Sequence, residues 1–257
     1  MADLLLRGHP IGRVDAVLFD KDGTMSLSEP MLRSLAVERI DCCLELAEQI
    51  PGNRGRRADL QDLLERAYGV RAHGVHPAGT TAVASRDQNL VSTATVLVQV
   101  GFGWPDALAI SEAVFERTDS LHGQGSCHPP QPTDGLRNCL ERLCGAGVRC
   151  GVISNDHVDG IEAFLASHGL EAFFSGIWSA EHHPRKPDPA AVESLCRSMD
   201  VPPDRCALIG DADSDLRMAR AASVAVVLGY RSGWSQPLQL DGRFLQLDHW
   251  QDLQVRA

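Results

Sequence analysis

The chain has no C-x-x-C pair: its eight cysteines stand at positions 42, 43, 127, 139, 144, 150, 196 and 206. That spacing gives zinc-site and thioredoxin-type chemistry no support and leaves reduced, mostly buried thiols as the reading. No apolar run approaches the roughly 20 residues of a membrane-spanning helix, and Leu4-Leu5-Leu6 is too short for the apolar region of a signal peptide. A cytoplasmic protein without a membrane partner is expected. Basic residues are in deficit, 24 Lys and Arg against 34 Asp and Glu, for a formal net charge of -10. This argues against nucleic acid as a partner, because non-specific binding depends on neutralising phosphates with cations. A small anionic substrate stays compatible, since one metal ion and one lysine reverse the field locally. Internal repeats and low-complexity tracts are also missing. What is there, 257 residues with 44% hydrophobic and 23% charged, suffices for one large domain or a domain carrying an insertion.

The first strong signal is the apolar run Val14-Asp15-Ala16-Val17-Leu18-Phe19, which ends abruptly in Asp20-Lys21-Asp22-Gly23-Thr24. It reads as a buried strand feeding a polar loop. From Glu29 to about Leu121 the spacing of Met31, Leu32, Leu35, Ile40 and Leu44 turns helical, with further periodic runs at 59–68, 87–100 and 105–121. After Cys127-His128-Pro129-Pro130 strands and helices alternate: strands over 148–153, 174–178, 206–209 and 224–228, helices over 136–143, 158–168, 189–199 and 213–222. Near-continuous apolar strands separated by helices predict an α/β fold, a Rossmann-like parallel sheet covered on both faces. The first strand belongs to this sheet. The expected organisation is therefore a catalytic core of residues 1–27 and 124–257, interrupted by a mostly helical cap over 28–123, with hinges near Ser26-Leu27-Ser28 and Gly123-Gln124-Gly125.

Open parallel sheets bind ligands beyond the carboxyl ends of their strands. Four such ends carry distinctive groups: Asp20 and Asp22; Ser154-Asn155-Asp156; Lys186-Pro187-Asp188-Pro189; and Gly210-Asp211-Ala212-Asp213-Ser214-Asp215. A D-x-D-G string alone is usually a surface turn. Together the four groups supply what phosphoryl transfer demands: a nucleophile, an acid–base group, a metal site, a fixed cation and short donors. Asp20 can attack phosphorus while Asp22 handles protons, provided the surroundings hold the pKa of Asp22 above that of its neighbour. Asp211 with Asp20 can hold Mg²⁺, a hard cation that prefers oxygen ligands. The Ser154 hydroxyl and the Asn155 backbone donor can hold phosphate oxygens at a helix N-terminus. Lys186 is the point charge that offsets phosphate and nucleophile. Asp215, one turn beyond Asp211, can orient that lysine or a metal-bound water, and Asp213 is a rival for either acidic role.

In order and spacing these segments resemble the haloacid dehalogenase-like hydrolase superfamily. Asp20 to Thr24 looks like its D-x-D-G-T motif, Ser154 like the strand-end Ser/Thr, Lys186 like the lysine of K-P-D-P, and Asp211 with Asp215 like G-D-x-x-x-D. The helical insertion is similar to the cap of the phosphoglycolate phosphatase and β-phosphoglucomutase branch. The resemblance implies Mg²⁺ held by the Asp20 side chain, the Asp22 backbone carbonyl and Asp211, and an aspartyl-phosphate intermediate. It also implies that Asp22 separates this chain from dehalogenases, which lack the second aspartate, and from transport ATPases, which carry threonine there. The expected function is a magnesium-dependent phosphatase acting on a small phosphorylated metabolite, with 2-phosphoglycolate the first to test. The alternatives are a β-phosphoglucomutase-like phosphotransferase and a non-catalytic binding protein on the same fold. One departure from the pattern falls at Ala221-Ala222-Ser223-Val224, where serine replaces the glycine that often follows that helix.

Two residues read ambiguously. Lys21 reads as a solvated lysine contributing its backbone donor, with attraction of an anionic substrate as the alternative. Arg86, in the small-polar stretch Ser85-Arg86-Asp87, could pair with a substrate carboxylate as a planar fork; a surface N-cap with neighbouring charges explains the same residues. His73, His76, His122, His128, His182 and His183 read as solvated loop histidines rather than metal ligands.

Overall fold

The computed structural model describes residues 1–50, 57–121, 129–236 and 238–257. The expected hinge near Gly123-Gln124-Gly125, together with His122, Cys127 and His128, lies outside them. The chain divides into two compact units, one of Met1–Ser28 with Pro129–Ala257, the other of Glu29–His128.

The first unit opens with β1 (Ala2–Leu6), β2 (His9–Val14) and β3 (Ala16–Phe19). The second holds α1 (Glu29–Glu48), α2 (Arg57–Tyr68), the short pair β4 (Val70–Arg71) and β5 (Gly74–Val75), then α3 (Thr80–Val83), α4 (Arg86–Gln99) and α5 (Trp104–Leu121). The first unit resumes with α6 (Leu136–Gly145), β6 (Arg149–Ile153), α7 (Val158–Ser167), β7 (Phe174–Trp178) and α8 (Pro189–Ser198). It ends with β8 (Cys206–Gly210), α9 (Asp213–Ala221), β9 (Val226–Tyr230), β10 (Leu245–Leu247) and β11 (Leu253–Arg256).

Six strands form the sheet β10-β9-β8-β3-β6-β7, and every pairing in it is parallel. Alternation along each strand sends side chains to opposite faces. Val17 and Phe19 join Val152, Ile209 and Leu228 in one core with Leu140 and Leu143 of α6 and Ile161 and Phe164 of α7. Ala16 and Leu18 join Leu208 in the other, with Val192 and Leu195 of α8 and Met218 and Ala219 of α9. The α/β sheet with helices on both faces is thus present. From β3 the chain runs outward to β6 and β7, then returns to place β8 on the other side of β3. This reversal opens a crevice at the carboxyl ends of β3 and β8, where ligands of such sheets bind.

A second sheet, β11-β1-β2, is antiparallel and joins the two ends of the chain. Its hairpin turns through Arg7 at φ 51° and Gly8 at φ 82°, the paired positive values of a tight primed turn. Trp250, fully buried, stacks on Tyr230 at 4.5 Å between ring centroids and lies 5.8 Å from Phe19. Its indole donates to Thr133 Oγ1 at 2.8 Å, and Thr133 Oγ1 donates to the Thr24 carbonyl at 2.9 Å. The C-terminal segment therefore braces the loop after β3. Trp250→Ala is expected to cost about 3–5 kcal/mol of stability through the cavity and the lost bond. A urea midpoint shifted by less than the Trp250→Phe variant's would show that the ring is not structural.

In the second unit α1, α2, α4 and α5 enclose a core that includes Ile40, Leu44, Leu64, Leu97, Val114 and Phe115. Ser85 caps α4 with a reciprocal box to Gln88. In the first unit, the departure at the end of α9 has a visible consequence: Ser223 adopts φ 61°, a left-handed value that costs a non-glycine residue roughly 1–2 kcal/mol. Cys42, Cys43, Cys139, Cys144, Cys150, Cys196 and Cys206 are free thiols. Among the described residues no helix is long and apolar enough to cross a membrane.

Candidate active site

Parallel register sets the site. Phe19 is level with Ile209 of β8 and Val152 of β6, so Asp20 leaves β3 beside the ends of both neighbours. Its backbone N–H donates to the Ile209 carbonyl at 2.9 Å. Asp211 follows β8 at once, and Asp215 sits in the first turn of α9. Lys186 comes from the segment before α8. Its Nζ lies 2.6 Å from Asp20 Oδ1, 2.8 Å from Asp215 Oδ1 and 3.4 Å from the Ile153 carbonyl, so all three ammonium protons have acceptors. Sequence reasoning placed these four residues together, and the structure brings them together, all buried.

Carboxylate oxygens of Asp20, Asp211 and Asp215 lie within 4.8 Å of one another. Burial, then the fields of nearby carboxylates, raise Asp20 to about 6 in spite of Lys186. Asp211 is pushed well above the ordinary carboxylate range, again by burial first and then by Asp20 and Asp215. Burial works against the Lys186 ammonium as well, yet Asp20 and Asp215 together hold its pKa above the usual lysine value. The lysine gains from two carboxylates, whereas Asp20 must share its one cation with Asp215. Three buried acids around one ammonium are an oxygen-only donor set short of positive charge. A hard dication such as Mg²⁺ fits that set.

Asp22 belongs to a second cluster. Its Oδ1 accepts from Lys21 Nζ at 2.7 Å, from Ser26 Oγ at 3.3 Å and from Ser28 Oγ. Lys21 is 1% exposed, and its Nζ also meets Asp156 Oδ2 at 2.9 Å. This corrects the reading of Lys21 as solvated or as an attractor at the entrance: it is a buried cation tying the loop after β3 to the loop after β6. The Lys21 carbonyl accepts from the N–H groups of Met25 and Ser26, so the loop wraps around it. The order of acidities also differs from expectation. Burial would raise Asp22, but the charge and hydrogen bond of Lys21, with the Ser28 and Ser26 hydroxyls, bring it below its ordinary value, while Asp20 is the raised member.

Ser154 is buried directly after β6, and its Oγ accepts from the Asp156 N–H at 3.1 Å. Asn155 follows it, ahead of the N-terminus of α7. Asp213 turns away from the carboxylate cluster and accepts from the Asp241 N–H at 2.9 Å. Arg86 lies in the helical unit with its Nε 2.5 Å from Asp119 Oδ2, so its fork already faces a carboxylate of the chain itself. The N-cap of the surface reading is present at Ser85, which is buried rather than at the surface. His182 bonds Ser179 and packs on Trp178. Sequence reasoning missed Trp234, whose Nε1 donates to Asp211 Oδ2 at 2.5 Å. The only signal was an aromatic residue inside the polar turn Ser232-Gly233-Trp234-Ser235.

The haloacid dehalogenase-like hydrolase family model matches residues 14–223. A phosphoglycolate phosphatase of Colwellia psychrerythraea (strain 34H) is 27% identical over 223 residues, covering 85% of this chain and 87% of that protein. Another, of Haemophilus influenzae (strain 86-028NP), is 28% identical over 127 residues, 49% of this chain and 57% of that protein. Against several such curated relatives the match spans about half of their length. A crystal structure of a predicted phosphoglycolate phosphatase from Haemophilus somnus 129PT superposes with a TM-score of 0.66 at 18% identity, covering 94% of this chain and 97% of that one. At that identity the likeness is one of fold.

Proposed function

The chain belongs to the haloacid dehalogenase-like hydrolase family, and from this premise we propose that it is a magnesium-dependent phosphatase that forms a phosphoenzyme on Asp20. The observation that supports this reading most is the buried set of Asp20, Lys186, Asp211 and Asp215, with the Asp22 carboxylate two residues from Asp20. Asp20 attacks phosphorus, and the ester oxygen leaves with a proton from Asp22. Asp22 then takes a proton from water, whose oxygen attacks the same phosphorus and releases inorganic phosphate from Asp20. The three donors on Asp22 Oδ1 favour the carboxylate that this second step needs, and leave Oδ2 to exchange the proton. Lys186 offsets the charge of phosphate and nucleophile, while Ser154 Oγ and the Asn155 N–H hold phosphate oxygens. Mg²⁺, held by Asp20, the Asp22 carbonyl and Asp211, would neutralise charge on the phosphoryl oxygens.

The helical unit is read as a cap that closes over the substrate and excludes water. The relatives being phosphoglycolate phosphatases makes 2-phosphoglycolate the first compound to try. An Arg86 role in binding its carboxylate would require release from Asp119. The test is phosphate release from a panel of phosphate esters with Mg²⁺ or with chelator. Release that depends on Mg²⁺ and is fastest for a small acidic ester is expected. Conversion of a hexose 1-phosphate to its 6-phosphate without free phosphate would instead identify a phosphotransferase, and no turnover of any ester would leave the binding-protein alternative.

A further inference from the structure

The loop after β9 sits against the loop after β3 at backbone contact distance. A Cβ added to Gly233 would lie 1.7 Å from the Gly23 carbonyl oxygen, so no larger residue fits there. Gly23 itself has φ 78°, and a Cβ on it would meet Trp234 Nε1 at 2.2 Å and Asp211 Oδ2 at 2.4 Å. Two glycines thus clear the space in which the Trp234 indole reaches the Asp211 carboxylate. Trp234 is 7% exposed. Its Nε1–H is a donor only, so it can neither ligate a cation nor accept a proton. A buried donor aimed at a carboxylate makes a strong, charge-assisted bond. The other oxygen, Oδ1, has the Thr24 hydroxyl at 3.3 Å. The indole therefore fixes the rotation of the carboxylate about its Cβ–Cγ bond and engages Oδ2.

We propose that Trp234 is a positioning residue for the cation of this site: by engaging Oδ2 it makes Asp211 a ligand through Oδ1 alone, and so favours Mg²⁺ over Ca²⁺. This rests on the reading of Asp211 as a metal ligand. The physical reason is coordination. Mg²⁺ demands near-ideal octahedral geometry with single oxygens, whereas Ca²⁺ takes more ligands and accepts both oxygens of one carboxylate. A hydrogen bond that pins one oxygen costs the larger ion a donor and leaves the smaller ion its own. Partners that orient a ligand in this way commonly govern affinity as strongly as 10- to 100-fold.

The test is calorimetric titration of the full chain, without substrate, by Mg²⁺ and by Ca²⁺. Trp234→Phe keeps an aromatic ring and removes the donor. It is expected to weaken Mg²⁺ binding about 10-fold or more with a smaller loss for Ca²⁺, so that the Mg²⁺ to Ca²⁺ preference falls. Asp211→Asn serves as the reference. If Asp211→Asn loses Mg²⁺ binding while folded Trp234→Phe keeps it, or weakens both ions alike, the positioning role is overturned and the ligand reading stands. If Asp211→Asn binds Mg²⁺ like wild type, the ligand reading itself is wrong, and the role of Trp234 with it. Should Trp234→Phe fail to fold, wild-type protein labelled with ¹⁵N at its four indoles keeps the question open to measurement. A buried indole N–H signal that moves on adding Mg²⁺ supports the proposal, and four fixed signals overturn it.

Discussion

Asp20→Asn is expected to abolish both steady-state turnover and transfer of phosphate from substrate to protein. The amide oxygen of asparagine is a poor nucleophile, and among the described residues no other carboxylate is aligned by the Ile209 carbonyl and Lys186 as Asp20 is. The variant should nevertheless fold. Burial and neighbouring carboxylates raise the pKa of Asp20 to about 6, so its charge is disfavoured in the folded state by the sum of its surroundings. The sign follows from linkage: a carboxyl whose folded pKa lies above its unfolded value of 3.8 stabilises the fold at low pH. That contribution fades as pH rises from about 4 through about 6. At neutral pH without divalent cations, the neutral amide removes a repelled charge, and the melting temperature should equal or exceed that of wild type. Intact-mass analysis after rapid quench then separates the outcomes. Residual labelling of Asp20→Asn would place the nucleophile elsewhere, whereas a lowered melting temperature would mean that the Lys186 bond outweighs the repulsion.

Much of this arrangement is legible in the sequence. The strand-end residues announce themselves because apolar runs stop at charged clusters, and the parallel register then has little freedom in where it sends Asp20, Asp211 and Lys186. The β11-β1-β2 sheet is not legible in the same way. Its turn uses Arg7-Gly8 rather than Asn-Gly, Pro10 interrupts the strand pattern, and its third strand lies some 240 residues away in the sequence. Lys21 shows a different limit. Its sequence neighbours are both acidic, which suits a solvated residue, and its burial depends on Asp156 arriving from β6. Trp234 likewise gains meaning only from long-range contact, since the two glycines that admit it, Gly23 and Gly233, are far apart in the chain. Acidity order is illegible for the same reason. Asp20 and Asp22 are two residues apart, and each has a lysine that one further carboxylate shares. What divides them is that Ser26 and Ser28 also donate to Asp22, whereas burial and the charges of Asp215 and Asp22 outweigh the lysine at Asp20.

Asp22→Asn is expected to give a burst of p-nitrophenol from p-nitrophenyl phosphate followed by turnover about a hundred- to ten-thousand-fold slower than wild type. The substitution is conservative in shape: an amide oxygen at Oδ1 can still accept from Lys21, Ser26 and Ser28, and Lys21 keeps its pairing with Asp156. What is lost is the ability to exchange a proton. p-Nitrophenolate leaves with little acid assistance, so the first half-reaction proceeds on Asp20. Hydrolysis of the aspartyl-phosphate still needs a base for water, and the donors that hold wild-type Asp22 as a carboxylate make it suited to that step. The trapped phosphate should therefore sit on Asp20. A poor alkyl leaving group tests the other half. If Asp22 also supplies the proton, the variant's defect there is much larger and the burst disappears. If the defect is the same for both leaving groups, Asp22 serves only as base, in keeping with its lowered pKa. If neither burst nor phosphoprotein forms with p-nitrophenyl phosphate, and wild-type protein is never labelled by any substrate, water attacks phosphorus directly and the covalent mechanism is wrong.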